Sequence, residues 1–396
     1  MKRSVKLIIV LSAVVVLSYT LLVTIGHPKL EQSMNKVVPH APYKIPADVQ
    51  ALHRRLTIAD LHCDSTLWAR DLAQESGFGH VDIPRLIRGN VALQVFTAVT
   101  KSPRGQNYES NTDSFDNITL LAVAQLWPVS TWKSLAARAL YQAEKLQTAA
   151  DRNPARFRVV KTAGDLEQVL AERQVARQSG GFGPVAGLLG IEGLHALEGR
   201  FDNIARFYDA GYRIMGLHHF FDNDTGGSLH GMSGSGLTKF GQDVVRELDR
   251  RSIIIDLAHS SPGAVEEILE LSTRPQIISH TGCSGYYKSP RNIPDDLMRR
   301  IAAKGGLIGI GYWDAAVGDI SPKGIARAIA YAVTLVGEDH VSLGSDFDGT
   351  VTTMFDTSEL AVLTRELVAL GFSEERIAKV MGGNTIRFLQ DNLPRQ

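Results

Sequence analysis

The sequence has little cysteine and no excess of either charge. Only Cys63 and Cys283 occur in 396 residues, which excludes a disulfide scaffold. A single bridge between them remains open in an oxidising compartment, and the alternative is that both are small buried apolar residues. Lysine plus arginine and aspartate plus glutamate number 42 each. Without a basic excess or a basic run, the composition argues against a nucleic-acid-binding surface.

Low-complexity tracts are also absent, and the 15 prolines and 36 glycines are ordinary numbers for this length. The hydrophobic fraction of 44% is enough for one large core. No change of composition divides the chain after its first 48 residues. We therefore expect a single folded domain over residues 49–396.

The longest apolar run lies at the N-terminus, where Lys2, Arg3 and Lys6 precede an uncharged stretch over residues 7–25. A helix of about 20 apolar residues spans a bilayer, whereas the apolar part of a cleavable signal has roughly 7–15. No A-x-A site or lipobox-like cysteine follows. We therefore favour an uncleaved signal anchor in residues 1–26 over a cleaved signal peptide or a buried core helix. The basic residues predict a cytoplasmic N-terminus, residues 27–48 as a tether, and the remaining chain on the extracytoplasmic (periplasmic) side.

Eight short apolar runs recur after this tether, and most of them end in polar residues. They begin at Leu56, Val91, Pro184, Tyr212, Ser252, Pro275, Gly305 and His340. Near-continuous apolar runs of this length are typical of parallel strands buried on both faces. Helical segments lie between most of them, and residues 101–160 have room for a loop and two helices. Eight alternating βα units predict a TIM-like (β/α)8 barrel.

Ionisable residues mark the ends of these runs, where catalytic groups of such barrels lie. They are His62, Asp64, Glu192, His218, His219, His259, His280, Asp346 and Asp348. Because side chains alternate along a strand, His62 and Asp64 can face one ion together. Imidazole and carboxylate are usual zinc ligands, so the pattern indicates a metal site.

Each residue has a plainer interpretation when it is taken alone. A histidine at a strand end is more often a hydrogen-bonded core residue, and Glu192 could be a structural acid after a turn. Together, however, so many donors at one rim would repel or remain unsatisfied without a cation. Glu192 lies between the two ligand groups in chain order and can bridge two ions. Two such ions can activate a water and polarise a carbonyl, which is hydrolytic chemistry.

Nine segments together resemble the membrane dipeptidase (renal dipeptidase) family of zinc metallopeptidases, in particular its bacterial members. The segments are DLHCDS (60–65), HVDIPRL (80–86), GIEG (190–193), LHHF (217–220), IDLAHSS (255–261), ISHTG (278–282), PRNIPDD (290–296), GSDFDG (344–349) and GGN (382–384). The resemblance extends over about residues 50–390 and is specific only as a set. It implies an enzyme that hydrolyses dipeptides with zinc.

The resemblance also implies the role of each site residue. Two zinc ions per chain would be bound by His62, Asp64, Glu192, His259 and His280, with Glu192 bridging. His219, rather than His218, would face the substrate and help to hold the tetrahedral intermediate. Arg291 would receive the substrate carboxylate, and Asp346 would handle protons and bind the substrate amine.

Physical reasoning agrees that a dipeptidase needs a cation for the free carboxylate and an acid for the free amine of its substrate. The planar guanidinium of Arg291 suits a carboxylate, although without the resemblance it would be assigned to a surface loop. The chain departs from mammalian members in its N-terminal span and in residues 218–231, which leaves pocket specificity open. A related amidohydrolase acting on N-acyl amino acids or lactams, a non-catalytic metal-binding homologue, and a homodimer also remain open.

Overall fold

The computed structural model describes residues 2–395. Its strands are β1 (Lys36–Val37), β2 (Ile58–Cys63), β3 (Val91–Val99), β4 (Phe157–Val159), β5 (Val185–Glu192), β6 (Tyr212–Gly216), β7 (Ile254–Asp256), β8 (Ile277–Thr281), β9 (Leu307–Ile310), β10 (Val341–Leu343) and β11 (Thr352–Thr353).

The helices alternate with these strands over most of the chain. They are α1 (Lys2–Leu21), α2 (His27–Met34), α3 (Ala47–Arg55), α4 (Ile83–Arg88), α5 (Asn117–Ala124), α6 (Leu135–Arg152), α7 (Ala163–Gln178), α8 (Asn203–Ala210), α9 (Lys239–Arg250), α10 (Pro262–Leu271), α11 (Asp295–Ala303), α12 (Asp314–Val317), α13 (Pro322–Val336), α14 (Ala361–Ala369), α15 (Glu374–Ala378) and α16 (Asn384–Asn392).

Eight parallel strands close into the predicted (β/α)8 barrel. The order is β3-β2-β10-β9-β8-β7-β6-β5, and β3 pairs with β5 to complete the circle. Each of the eight apolar runs contains one of these strands, and every residue of each barrel strand is buried. Burial on both faces is the reason that the runs are apolar almost throughout. The predicted fold class is therefore confirmed.

Local sequence explains where the surrounding helices begin. Ser261 and Ser321 each accept a hydrogen bond from a backbone N–H in the first turn of α10 and α13, and proline occupies the first position of both helices. Apolar residues of α9 at Val244, Val245 and Leu248 are buried, while its other face is charged. Such amphipathic helices cover the barrel exterior and leave its rim to the loops.

The N-terminal helix stands apart from the core. Its segment Lys6–Met34, which runs through α1, a π-helical turn at Leu22–Gly26 and α2, is long and apolar enough to cross a membrane. Its most apolar window has no buried residue. Burial in the barrel core is therefore excluded as the reason for its apolar character, which leaves an anchor or a signal sequence.

Residues 27–48, predicted to be a tether, contain α2 and β1, and both contact the barrel. The Glu31 side chain is buried and forms an ion pair with Arg70. Asn35 Oδ1 accepts a hydrogen bond from the Thr350 N–H at 2.8 Å, and β1 pairs with β11. Composition gives no sign of these contacts, because each depends on a partner that is distant in sequence.

Candidate metal centre

The five predicted ligands meet at one rim because their strands end there. Glu192 is the last residue of β5, His62 lies near the end of β2, and His280 near the end of β8. Asp64 follows β2 and His259 follows β7. All five side chains are buried. The carboxyl ends of parallel strands thus gather three imidazoles and two carboxylates that are far apart in sequence.

Glu192 is the common neighbour of this group. Its Oε2 lies 3.6 Å from His62 Nε2, 3.7 Å from His259 Nε2 and 4.0 Å from His280 Nε2. Asp64 Oδ1 lies 3.4 Å from His62 Nε2. Ligands at about 2.1 Å from a tetrahedral zinc are roughly 3.4 Å from one another, so these separations suit ions between the donors.

Unpaired atoms give the strongest sign that a cation belongs here. His62 Nε2, Asp64 Oδ1 and Glu192 Oε2 are buried without a hydrogen-bond partner among the described residues. Such groups are costly to bury unsatisfied. The Nε2 atoms of His259 and His280 face each other at 2.9 Å, so one imidazole donates its N–H to the other unless a cation lies between them. The residues present therefore fit two groups of metal ligands that share Glu192.

Ser279 helps to aim two of the imidazoles. Its Oγ lies 3.0 Å from His62 Nδ1 and 2.8 Å from His280 Nδ1. Thr97 Oγ1 also lies 3.3 Å from His62 Nδ1. Because the outer nitrogens are engaged in this way, both Nε2 atoms point toward the centre of the site, as in known metal centres.

The electrostatics of the site follow from burial and close charges. Burial raises the pKa of Glu192, but His219, His62 and Arg291 together outweigh it and the pKa falls to about 2. Burial lowers the pKa of His62, but the charges of Asp64 and other acids raise it to about 10. Burial and the charge of Glu192 raise the pKa of Asp64 to about 6 despite His62. The acids and imidazoles thus compete for protons, and bound cations would displace those protons.

The three residues predicted to contact substrate line the same cavity. His219 Nε2 lies 3.0 Å from Glu192 Oε1, and Asp346 Oδ1 lies 3.8 Å from His62 Nε2. Arg291 donates from Nη2 to the His280 carbonyl oxygen at 2.7 Å, and its buried Nη1 has no partner within the described chain. Burial raises the pKa of Asp346 well above its ordinary value, against the opposing effect of His62.

Backbone strain occurs at two of these positions. His259 has a φ of 62° and Asp346 a φ of 60°, in the left-handed region that residues other than glycine rarely adopt. Such conformations persist where the surroundings enforce them, and they cluster at functional sites. Both residues lie just after a barrel strand, where the strain directs their side chains toward the rim.

Two residues of the predicted rim set face elsewhere. His218 Nδ1 lies 3.0 Å from Ser260 Oγ, behind the cavity. Asp348 pairs with Arg70 at 2.5 Å and accepts hydrogen bonds from Ser65 Oγ and the His80 N–H. Burial raises the pKa of Asp348, but the Arg70 charge, His80 and the Ser65 hydrogen bond together hold it far below its ordinary value. Asp348 is therefore a structural anion that joins the loops after β2 and β10.

Three further residues near the site, Asp256, Tyr108 and His230, were not predicted from the sequence. Asp256 offers an oxygen within 4.8 Å of donor atoms of His62 and His280, but two backbone N–H groups already bond to its Oδ1. Tyr108 lines the cavity from the long segment after β3. His230 stacks on Phe220 at 4.9 Å. Only Asp256 has a recognisable signal, as an acid at the end of an apolar run.

The cavity has a volume of about 800 Å³ and reaches well beyond the metal ligands. Its outer wall is formed by α5 and by the N-terminal helix, including Leu22, Gly26 and Leu30.

Both cysteines are buried and free, which agrees with their interpretation as small buried apolar residues rather than as a disulfide bridge. A closed barrel with a cluster of His, Asp and Glu side chains able to hold metal in a deep cavity is typical of metal-dependent hydrolases.

The chain belongs to the membrane dipeptidase family (peptidase family M19), whose family model matches residues 47–393. It is 27% identical over 321 residues to dipeptidase verJ of Clonostachys rogersoniana, which covers 78% of this chain and 75% of that protein. It is 30% identical over 213 residues to an uncharacterized dipeptidase of Schizosaccharomyces pombe, covering 51% of this chain and 52% of that protein.

Solved structures agree in fold. A probable dipeptidase, PvdM, from Pseudomonas aeruginosa is similar with a TM-score of 0.72 and 19% identity over 88% of this chain and 98% of that chain. A Rhodobacter sphaeroides metallopeptidase bound to a phosphinate mimic of L-Ala-D-Ala gives 0.68 and 23% identity over 85% and 99%. The predicted family and the hydrolysis of peptide bonds are confirmed, and the chain is a dipeptidase of this metallopeptidase family.

Proposed function

We propose that this dipeptidase uses two zinc ions per chain to hydrolyse dipeptides. His62 and Asp64 would hold one ion, His259 and His280 the other, and Glu192 would bridge them. The observation that carries the proposal is the set of buried, unpaired donor atoms around Glu192 Oε2. When bound, the ions supply Lewis acidity and lower the pKa of a water at the site.

Asp346 is proposed to move the proton. Its carboxylate is buried beside His62 and lines the cavity, so it can accept a proton from the attacking water at one Oδ. It can then return that proton to the leaving amine nitrogen, and it can pair with the free amine of the bound substrate. A carboxyl group whose pKa is raised by burial suits such a role.

His219 and Arg291 are proposed to bind the substrate. The His219 imidazole lies in the cavity beside Glu192, where a ring N–H can donate to the oxyanion of the tetrahedral intermediate. The unpaired Nη1 of Arg291 can donate to the terminal carboxylate of a dipeptide. Recognition of both ends of the substrate accounts for selectivity toward dipeptides over longer peptides.

The N-terminal segment, residues 1–26, is proposed to be an uncleaved signal anchor that holds the domain of residues 49–396 on the extracytoplasmic side. The exposed apolar helix and the basic residues before it support this orientation. A protease added outside the intact membrane that the anchor crosses should then digest the barrel. Protection of the barrel while that membrane is intact, followed by digestion after lysis, would reverse the orientation.

The decisive experiment combines a substrate panel with metal analysis of the purified full-length protein. The panel contains L,L dipeptides, L-Ala-D-Ala, a dipeptide amide, an N-acyl amino acid and a lactam. We expect about two zinc ions per chain and hydrolysis of dipeptides, with activity lost to a chelator and restored by zinc. Glu192→Gln should lower metal content and activity together, since a neutral amide bridges two cations poorly.

The alternatives have distinct outcomes. Turnover of the N-acyl amino acid or the lactam without dipeptide turnover would assign the site to a related amidohydrolase. Active enzyme that holds only traces of transition metal would contradict the zinc proposal. Exposed Glu266 on α10 provides a matched control, and Glu266→Gln should change neither zinc content nor turnover.

A further inference from the structure

A segment beside the cavity mouth is apolar and exposed in a way that the hydrolytic chemistry does not require. Residues 117–132, which contain α5, include no charged side chain. Within or next to this stretch, Leu120 is 61% exposed, Leu126 58%, Val129 71% and Phe115 42%. Exposed apolar side chains concentrated in one short segment indicate a contact surface.

The same segment touches the N-terminal helix. The Tyr19 hydroxyl donates a hydrogen bond to the Val123 carbonyl oxygen at 3.0 Å. Leu22 and Gly26 of that helix line the same cavity as Ile118 and Leu121 of α5. The two elements therefore form opposite sides of one opening above the metal centre.

This contact fixes the depth of α5 relative to a bilayer. If residues 7–25 span the bilayer, Tyr19 lies six residues before the outer end of the span, or about 9 Å along a helix that rises 1.5 Å per residue. Moving the outer end inward to Tyr19 would leave only residues 7–19, too few for the roughly 20 that a span needs. The backbone of Val123 therefore lies at the depth of the outer leaflet.

We propose that residues 115–132, the α5 segment, insert into the outer leaflet beside the anchor, so that the mouth of the active-site cavity opens at the bilayer surface. The proposal rests on the proposed anchor and not on the metal chemistry. A segment of this kind binds by burying apolar side chains about 5–10 Å into the boundary between headgroups and acyl chains.

The surroundings favour lipid as the occupant. Two exposed basic residues flank the segment: Lys133 follows it directly, and the Arg104 guanidinium lies over the Phe115 ring at its start, 4.0 Å from the centroid. Both can meet anionic headgroups. The one acidic residue within the segment, Asp116, pairs with the buried Arg138 at 2.5 Å, which neutralises its carboxylate. Apolar side chains of α1, among them Leu7, Leu11 and Leu17, are also exposed and extend the same surface.

Site-directed fluorescence can test this on the full-length protein in phosphatidylcholine–phosphatidylglycerol nanodiscs. Both native cysteines are buried, so a single introduced cysteine can be labelled selectively with an environment-sensitive dye. The variants are Leu120→Cys and Leu126→Cys in the α5 segment, Leu11→Cys in the anchor and Val175→Cys as control. Val175 is 64% exposed near the end of α7, on the side of the barrel opposite the site.

We expect lipids brominated on the acyl chain to quench the dye about twofold at positions 120, 126 and 11, and to leave position 175 unchanged. Quenching at position 11 without quenching at 120 and 126 would overturn the proposal. Self-quenching at 120 without lipid quenching would assign the surface to a second copy of the chain. Absence of lipid quenching at position 11 would overturn the proposed anchor as well. Dipeptide turnover, measured in the same nanodiscs, tests the proposed function separately.

Discussion

At the scale of single residues, the surroundings of Asp346 suit the two roles proposed for it, proton transfer and binding of the substrate amine. Asp346 is buried, its backbone is in a left-handed conformation, and its Oδ1 lies 3.8 Å from Nε2 of His62, one of the proposed ligands. It nevertheless lies outside the groups of donors that could hold an ion. Its loss should therefore affect proton transfer more than metal binding.

We accordingly expect Asp346→Asn to reduce kcat by about 100-fold or more, in the usual range for a general acid–base group, while zinc content stays unchanged. The amide keeps the shape of the side chain but cannot carry the proton. Steady-state kinetics and elemental analysis of the same preparation provide the measurement. Near-wild-type turnover would show that another group carries the proton, even with the zinc site intact.

Arg291 should act on binding through the substrate carboxylate. Arg291→Ala should lower kcat/KM for a dipeptide by about 100-fold, the loss of a charge-assisted contact of roughly 3 kcal/mol, and have much less effect on the dipeptide amide. Kinetics on the two substrates measure the difference. Arg299→Ala, at an exposed position of α11, is the control and should change neither. Equal losses on dipeptide and amide would contradict this role.

The site residues that the sequence could predict are those fixed by strand geometry. Alternation places His62 and Asp64 together, and a position after an apolar run places His259 and His280 at the rim. The alternation of side chains along a strand could not tell whether His218 or His219 faces the cavity. Their orientation depends on the turn after β6 and on the contact of His218 with Ser260. Asp348 has the same sequence signal as Asp346, yet Arg70, which is 278 residues away, makes it structural.

At the scale of elements, long-range partners decide what local patterns cannot. The eight barrel strands were predictable because burial on both faces leaves an apolar run. The pairing of β1 with β11 was not, because each has only two residues and their partnership depends on loops that the barrel positions. The same reasoning applies to α3, whose buried His53 joins it to α14 and to the loop after α4.

His53 makes this junction sensitive to acid. Burial lowers its pKa from 6.5 to about 4, while a hydrogen bond to the Gly89 carbonyl opposes the shift. Because the unfolded chain binds the proton more tightly, stability is full above pH 6.5 and is lost as the pH falls toward 4. The shift corresponds to about 3 kcal/mol, of which about 2 kcal/mol should be lost by pH 5.

Urea unfolding of wild type and His53→Gln between pH 7.5 and 5 can measure this contribution. The variant should be less stable at pH 7.5, and the difference from wild type should shrink by about 2 kcal/mol at pH 5. The other histidines do not alter the comparison because they occur in both proteins. A difference that is constant with pH would mean that folding does not lower the pKa of His53.

At the scale of the whole molecule, the segment that follows the proposed anchor is joined to the barrel through the same loops that surround the site. Glu31 of α2 pairs with Arg70, Arg70 pairs with Asp348, and Asp348 lies two residues from Asp346. The domain boundary predicted after residue 48 therefore separates the chain by composition but not by contacts. Removing the anchor and removing the segment that follows it should have different consequences.

Deleting residues 1–26 should give a soluble, active enzyme, since the buried Glu31 and the strand β1 remain. Deleting residues 1–35 also removes Glu31 and Asn35, and it leaves Arg70 buried with one partner fewer. Breaking a buried ion pair costs about 3–5 kcal/mol, so the protein without residues 1–35 should unfold at lower urea concentration and lose activity on warming.

Glu31→Gln in the protein without residues 1–26 isolates the ion pair, and most of the loss of stability should reappear there. Equal stability of the two truncated proteins would show that α2 is only a tether. If the protein without residues 1–26 is folded but inactive, the N-terminal segment takes part in catalysis.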